Sequence, residues 1–187
     1  MGLHFEEFEE GREFDCGERE IGDAEIRAFA ELSGDMNPLH LDDDYARSTP
    51  FGGRVAHGAL GIAVATGLMA RTGLTAGTLV ALLGIDWRFV APIRPGDRLH
   101  LTLRVAARRE LAGRDRGVVK FVAELVNQQA ALVQSGEIVE LIRRDPVAGA
   151  SAETSSRNSC RATICAVPRL PRWPLSTSVR PDGKSSR

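Results

Sequence analysis

Residues 57–71, HGALGIAVATGLMAR, contain no acidic side chain, carry a base only at the end, and place Gly or Ala at seven of fifteen positions. A helix this apolar on every side is expected inside a core, where small residues let neighbouring backbone approach closely. Gly61 and Gly67 would each cost roughly 1 kcal/mol relative to Ala in a helix, which close packing must offset. Gly73 is a natural stop.

On the C-terminal side the hydrophobic period changes from helical to two. Ile85, Trp87 and Phe89 alternate with Asp86 and Arg88; Leu99, Leu101, Leu103 and Val105 alternate with His100, Thr102 and Arg104; Val119, Phe121, Ala123 and Leu125 alternate with Lys120 and Glu124. These read as half-buried strands, followed by a last strand from about Leu132 to Ile142. Turn signals lie at Arg94 to Asp97, Gly113 to Gly117 and Asn127 to Gln129, and turns this short favour antiparallel neighbours. On the N-terminal side, Asp23 precedes an amphipathic helix with Ile26, Phe29 and Ala30 on one face, ended by Ser33-Gly34. An early strand is expected near Glu13 to Ile21. One buried helix followed by long antiparallel strands defines an α+β fold in which the sheet curls around that helix. The sheet's edges and far face are then left to water, so a homodimer is expected.

Between the two helices, DMNPLHLDDDYARSTPFGGR is dense in Pro, Asn, Gly and Asp and reads as loop, apart from a turn of helix over Asp43 to Arg47. It delivers polar groups rather than core.

Composition narrows the function classes. Residues 1–144 carry 17 basic and 22 acidic side chains, a net −5, while residues 145–187 carry 7 and 3, a net +4. An acidic domain without a basic stripe is a poor nucleic-acid partner. The N-terminus, MGLHFEEFEE, lacks the basic and apolar regions of a signal peptide, and the stretch from Ala56 to Ala70 is too short and too rich in Gly and Ala to span a bilayer. Three scattered cysteines form no disulfide framework, and Cys160 and Cys165 lack His or Cys partners for a metal, so a reducing cytoplasm is expected. Residues 145–187 are rich in Ser, Thr and Pro without an apolar period and read as a disordered tail outside a single domain over 1–144.

The segment SGDMNPLHLDDDYA, with FGGRVAHGAL after it, resembles the MaoC-like dehydratases and (R)-specific enoyl-CoA hydratases of the hot-dog superfamily. The likeness extends from the AFAELSGD lead-in through the Asp35 to His40 spacing, Phe51-Gly52, Ala56-His57-Gly58 and RFVAPIRPGD, over about residues 10–143. It implies a hot-dog fold, no cofactor, and a substrate that is an acyl thioester of coenzyme A or acyl carrier protein. It also implies that Asp35 and His40 are the catalytic pair and that the Gly58 amide binds the thioester oxygen.

Physical chemistry agrees with those roles. Adding water to an enoyl thioester requires a base for the water, an acid near the α carbon and polarisation of the carbonyl. A carboxylate and an imidazole five residues apart on a proline-braced loop suit the first two, and a glycine at a helix N-terminus suits the third. Asn37 either orients the Asp35 carboxylate, binds substrate or is a turn former. His57 reads as a helix cap that orders the loop rather than a substrate group. The run Asp42 to Asp44 is tempting for a metal, but three adjacent carboxylates cannot all face one ion, and Asp42 reads better as the cap of the short helix ahead of Tyr45.

Two other functions fit less of the pattern. A hot-dog thioesterase would direct water at the carbonyl, and a non-catalytic hot-dog subunit would only bind acyl chains. The arginines Arg54, Arg71, Arg88 and Arg94 are either contacts for coenzyme A phosphates or solvated surface charges.

Overall fold

The computed structural model describes residues 1–113 and 115–146. The tail expectation, and Cys160 and Cys165 with it, falls outside them beyond residue 146. Five strands, β1 (Glu13–Ile21), β2 (Leu79–Phe89), β3 (Asp97–Glu110), β4 (Arg116–Val126) and β5 (Leu132–Arg143), form one antiparallel sheet in the order β1-β3-β4-β5-β2. The helices are α1 (Asp23–Ser33), the short α2 (Pro38–Leu41) and α3 (Asp43–Arg47), and the long α4 (Gly58–Arg71). The sheet wraps around α4, as in the hot-dog fold.

The core is built by strand alternation. Leu99, Leu101, Leu103 and Val105 of β3 meet Val119, Phe121, Ala123 and Leu125 of β4, all fully buried, and Ile138 and Ile142 of β5 continue the layer. Helix α4 adds Leu60, Val64, Ala65, Leu68 and Met69 from its buried side. Gly61 is required by contact, since a Cβ there would strike the Gln134 side chain of β5.

Two expectations change. Helix α4 is buried on one side only: Ala63, Gly67 and Ala70 face outward, because a single five-stranded sheet covers one flank of a helix. The short connection at Arg94 to Asp97 does not make β2 and β3 neighbours; β2 pairs with β5 instead, and β3 with β1. That leaves β2 as an edge, which is why Ile85 and Phe89 stay exposed despite a half-buried sequence pattern.

Among the described residues no helix is long and apolar enough to cross a membrane.

Candidate active site

Helix α1 stops at Gly34, whose left-handed backbone (φ 77°) suits glycine and turns the chain so that Asp35 leads into the loop. Asp35 is exposed; its backbone N–H donates to Ser33 Oγ at 3.2 Å, and its Oδ1 accepts from the Asn37 N–H at 3.3 Å. Asn37 Oδ1 accepts from the Leu39 N–H at 2.9 Å, so this side-chain oxygen caps α2, with Pro38 in the first helical position. One turn of α2 then carries His40 into the interior.

Inside, His40 Nδ1–H donates to the Val55 carbonyl at 2.7 Å, which fixes the ring. His57 Nε2–H donates to the Asp35 carbonyl at 2.9 Å. The His57 ring sits between Phe29 of α1, centroids 5.2 Å apart, and His40, centroids 3.7 Å apart. Its Nδ1 is buried without a hydrogen-bond partner among the described residues. His57 occupies the N-cap position of α4 but makes no side-chain cap bond, so it orders the Asp35 loop without capping the helix. The first amides of α4 thus keep no side-chain cap of their own.

Gly58 follows at the helix start. A Cβ there would lie 2.8 Å from Phe89 Cε1, so the ring at the end of β2 packs directly on this glycine. The Gly58 carbonyl accepts from Gln134 Nε2 at 3.1 Å, and Gln134 Oε1 accepts from Trp87 Nε1–H at 2.8 Å. A side-chain chain of two strands therefore pins the first peptide of α4. Gln134, Trp87 and Phe89 were not anticipated from the sequence. The available signal was a polar Gln on the inward face of an apolar strand.

Asp35, His40 and His57 each bring a potential ligand atom within 4.8 Å of the others. The two imidazoles overlap with planes tilted by 31°, and one nitrogen of each already faces a backbone carbonyl, Val55 for His40 and Asp35 for His57. The same closeness suits a pair of groups exchanging a proton through one water. Asp42 Oδ1 accepts from the Asp44 and Tyr45 N–H groups and caps α3. Arg54 pairs with Asp23 and, at 2.8 Å, with Asp43, tying α1 and α3 to the segment before α4. Arg94 donates to the Phe51 carbonyl. A surface pocket lined by Met1, His4, Gly77, Arg143 and Arg144 contains none of these groups.

A hot-dog sheet around α4, with an Asp-to-His loop folded against the helix's first turn, defines one class of protein, and the chain belongs to the MaoC-like dehydratase domain family. The family's profile, described as MaoC like domain, matches residues 7–127. The chain is 34% identical over 121 residues to the (R)-specific enoyl-CoA hydratase of Aeromonas caviae, covering 65% of this chain and 86% of that relative. It is 34% identical over 116 residues to the 3-hydroxybutyryl-CoA dehydratase of Methylorubrum extorquens, covering 56% of this chain and 64% of that relative. The solved MaoC-like dehydratase from Rhodospirillum rubrum superposes with a TM-score of 0.70 at 32% identity, over 78% of this chain and 99% of the other.

Proposed function

We propose that this protein adds water to trans-2-enoyl thioesters to give (R)-3-hydroxyacyl thioesters, or runs the same reaction backwards. The observation that carries the reading is the cluster of Asp35, His40 and His57, each with a carboxylate oxygen or ring nitrogen within 4.8 Å of the others, beside the start of the helix that begins with Gly58. In hydration, the Asp35 and His40 pair takes a proton from water as its oxygen bonds to C3. The π electrons of C2=C3 move toward the thioester carbonyl, and the Gly58 N–H stabilises the negative charge that develops on its oxygen. The proton held by the pair is then returned to C2. The (R) configuration follows that of the similar (R)-specific enoyl-CoA hydratase of Aeromonas caviae.

The substrate is a thioester of coenzyme A or acyl carrier protein. Arg54 is occupied by Asp23 and Asp43, which leaves Arg71 and Arg88 as exposed cations for phosphate. The chain pairs with a second copy through β2, an edge of eleven residues that exposes Leu79, Val80 and Leu82. A reducing cytoplasm suits Cys16, a buried free thiol.

The test is loss of ultraviolet absorbance from crotonyl-CoA and longer trans-2-enoyl-CoAs on addition of the purified protein. A flat trace at every chain length sinks the reading. Release of free thiol in its place would identify a thioesterase.

A further inference from the structure

Strand β5 presents a carboxyl where its neighbours present hydrocarbon. Alternation puts Ile138, Glu140 and Ile142 on the face that carries the core, and both isoleucines are fully buried. Glu140 is 6% exposed, its cross-strand partners are Val119 on β4 and Leu82 on β2, and its Oε2 is buried with no hydrogen-bond partner among the described residues. Burial pushes its pKa up to about 7. An orphaned interior carboxyl carries a desolvation cost that a leucine or valine at the same place would not.

The same face leads straight to the candidate active site. Gln134, six residues earlier on β5, holds the Gly58 carbonyl, and its partner on β2 is Phe89, the ring packed on Gly58. Between Gln134 and Glu140 lie Gly136, with the Trp87 indole laid against it, and Ile138, paired with Ile85. Within one protomer the β2 side of this strip is uncovered, with Phe89 60%, Ile85 37% and Leu82 49% exposed, and the second copy proposed at the β2 edge would border it there. At about 3.3 Å per residue the strip is roughly 20 Å long and apolar between its ends. It starts at Gly58 and finishes at an acid whose Oε2 has no hydrogen-bond partner among the described residues.

We propose that this strip holds the acyl chain and that Glu140 receives a hydroxyl at the chain's far end, so that distally hydroxylated acyl groups are selected over methyl-terminated ones of equal length. The inference rests on the reading of the substrate as an acyl thioester. A hydroxyl matches because it donates to a carboxylate and accepts from a carboxylic acid, and a group titrating near 7 presents both forms. A terminal carboxylate would instead meet like charge.

Calorimetric binding of saturated, unreactive acyl-CoAs, each length taken with and without an ω-hydroxyl, tests this without turnover. At the length that spans the strip, the hydroxylated ligand is expected to bind wild type about tenfold more tightly. Glu140→Gln, which keeps a donor and an acceptor, should retain most of that preference. Glu140→Leu should reverse it while melting no lower than wild type. Equal or weaker binding of the hydroxylated ligand at every length, or an unchanged preference in Glu140→Leu, overturns the inference. Absence of binding by any acyl-CoA overturns the acyl strip itself. The expected preference without any hydration of enoyl-CoA would leave the inference standing and remove only the hydratase reading.

Discussion

The imidazoles of His40 and His57 lie face to face, their centroids 3.7 Å apart, and each ring is fixed by a backbone carbonyl belonging to another segment: Val55 for His40 and Asp35 for His57. Two residues seventeen positions apart thereby hold one another and the loop that bears Asp35. His57 is a positioning residue, acting through Asp35 and His40.

Replacing His57 by Ala removes both the stack and the donor to the Asp35 carbonyl. The expected result is a fall in kcat of about 10²-fold with a smaller change in KM, because a small displacement of the acid/base groups is felt mainly in the transition state. His57→Gln, whose amide can still donate, should recover part of the loss in a steady-state hydration assay. If kcat is unmoved in both variants, the loop does not depend on this contact.

Asp35→Asn and His40→Ala should each lower hydration by about 10²- to 10⁴-fold while leaving the far-ultraviolet circular dichroism intact. The double variant is expected to be little worse than the poorer single one, since both groups act on one water. Multiplicative losses would mean that they act in separate steps.

Gln134→Leu leaves the Trp87 indole N–H without its acceptor and removes the side-chain donor to the Gly58 carbonyl, which the α4 backbone still engages. A lost buried hydrogen bond costs on the order of 1–3 kcal/mol, less for the half-buried Trp87, so urea unfolding should report a destabilisation in that range. Trp87 fluorescence should shift in the same variant. An unaltered emission spectrum would argue that the bridge does not persist in solution.

Glu140 gives stability a pH dependence of defined sign. Its folded pKa of about 7 lies above the ordinary 4.5, so the folded state holds the proton more tightly than the unfolded chain. That contribution is fully present below about pH 4.5 and is lost as the pH rises through 7; the difference amounts to something on the order of 3 kcal/mol. Urea unfolding across this window should fall more steeply with pH for wild type than for Glu140→Gln. Parallel curves would contradict the assignment.

The helix α4 and the strands β3, β4 and β5 were legible because each leaves a local mark, an apolar run or a period of two; Asp35 and His40 were singled out by the resemblance of their segment to the MaoC-like dehydratases, since an isolated Asp or His in a stretch of turn formers carries no such mark. The sheet order was not, because the pairing of β2 with β5 depends on which edge remains open once the hairpins close, and no residue within β2 records that. For the same reason Ile85 and Phe89 read as half-buried yet lie exposed. The stacking of His57 on His40 also escaped the sequence, since it requires two loops to meet. Gln134 and Glu140 were visible as polar residues in an apolar alternation, but their meaning depends on what lies opposite.

The bond between Gln134 and Gly58 joins positions 76 residues apart, and β2 waits for the same late strand before it has any partner. During synthesis, α1, the Asp35 loop and α4 all emerge well before β5, so the Gly58 carbonyl at the head of α4 cannot receive its Gln134 donor until β5 has left the ribosome. A nascent chain ending before residue 132 would display the uncovered apolar flank of β2 with no strand to receive it. Such non-local closure is slow and prone to self-association. Truncated chains are therefore expected to be recovered as aggregates rather than as weakened hydratases.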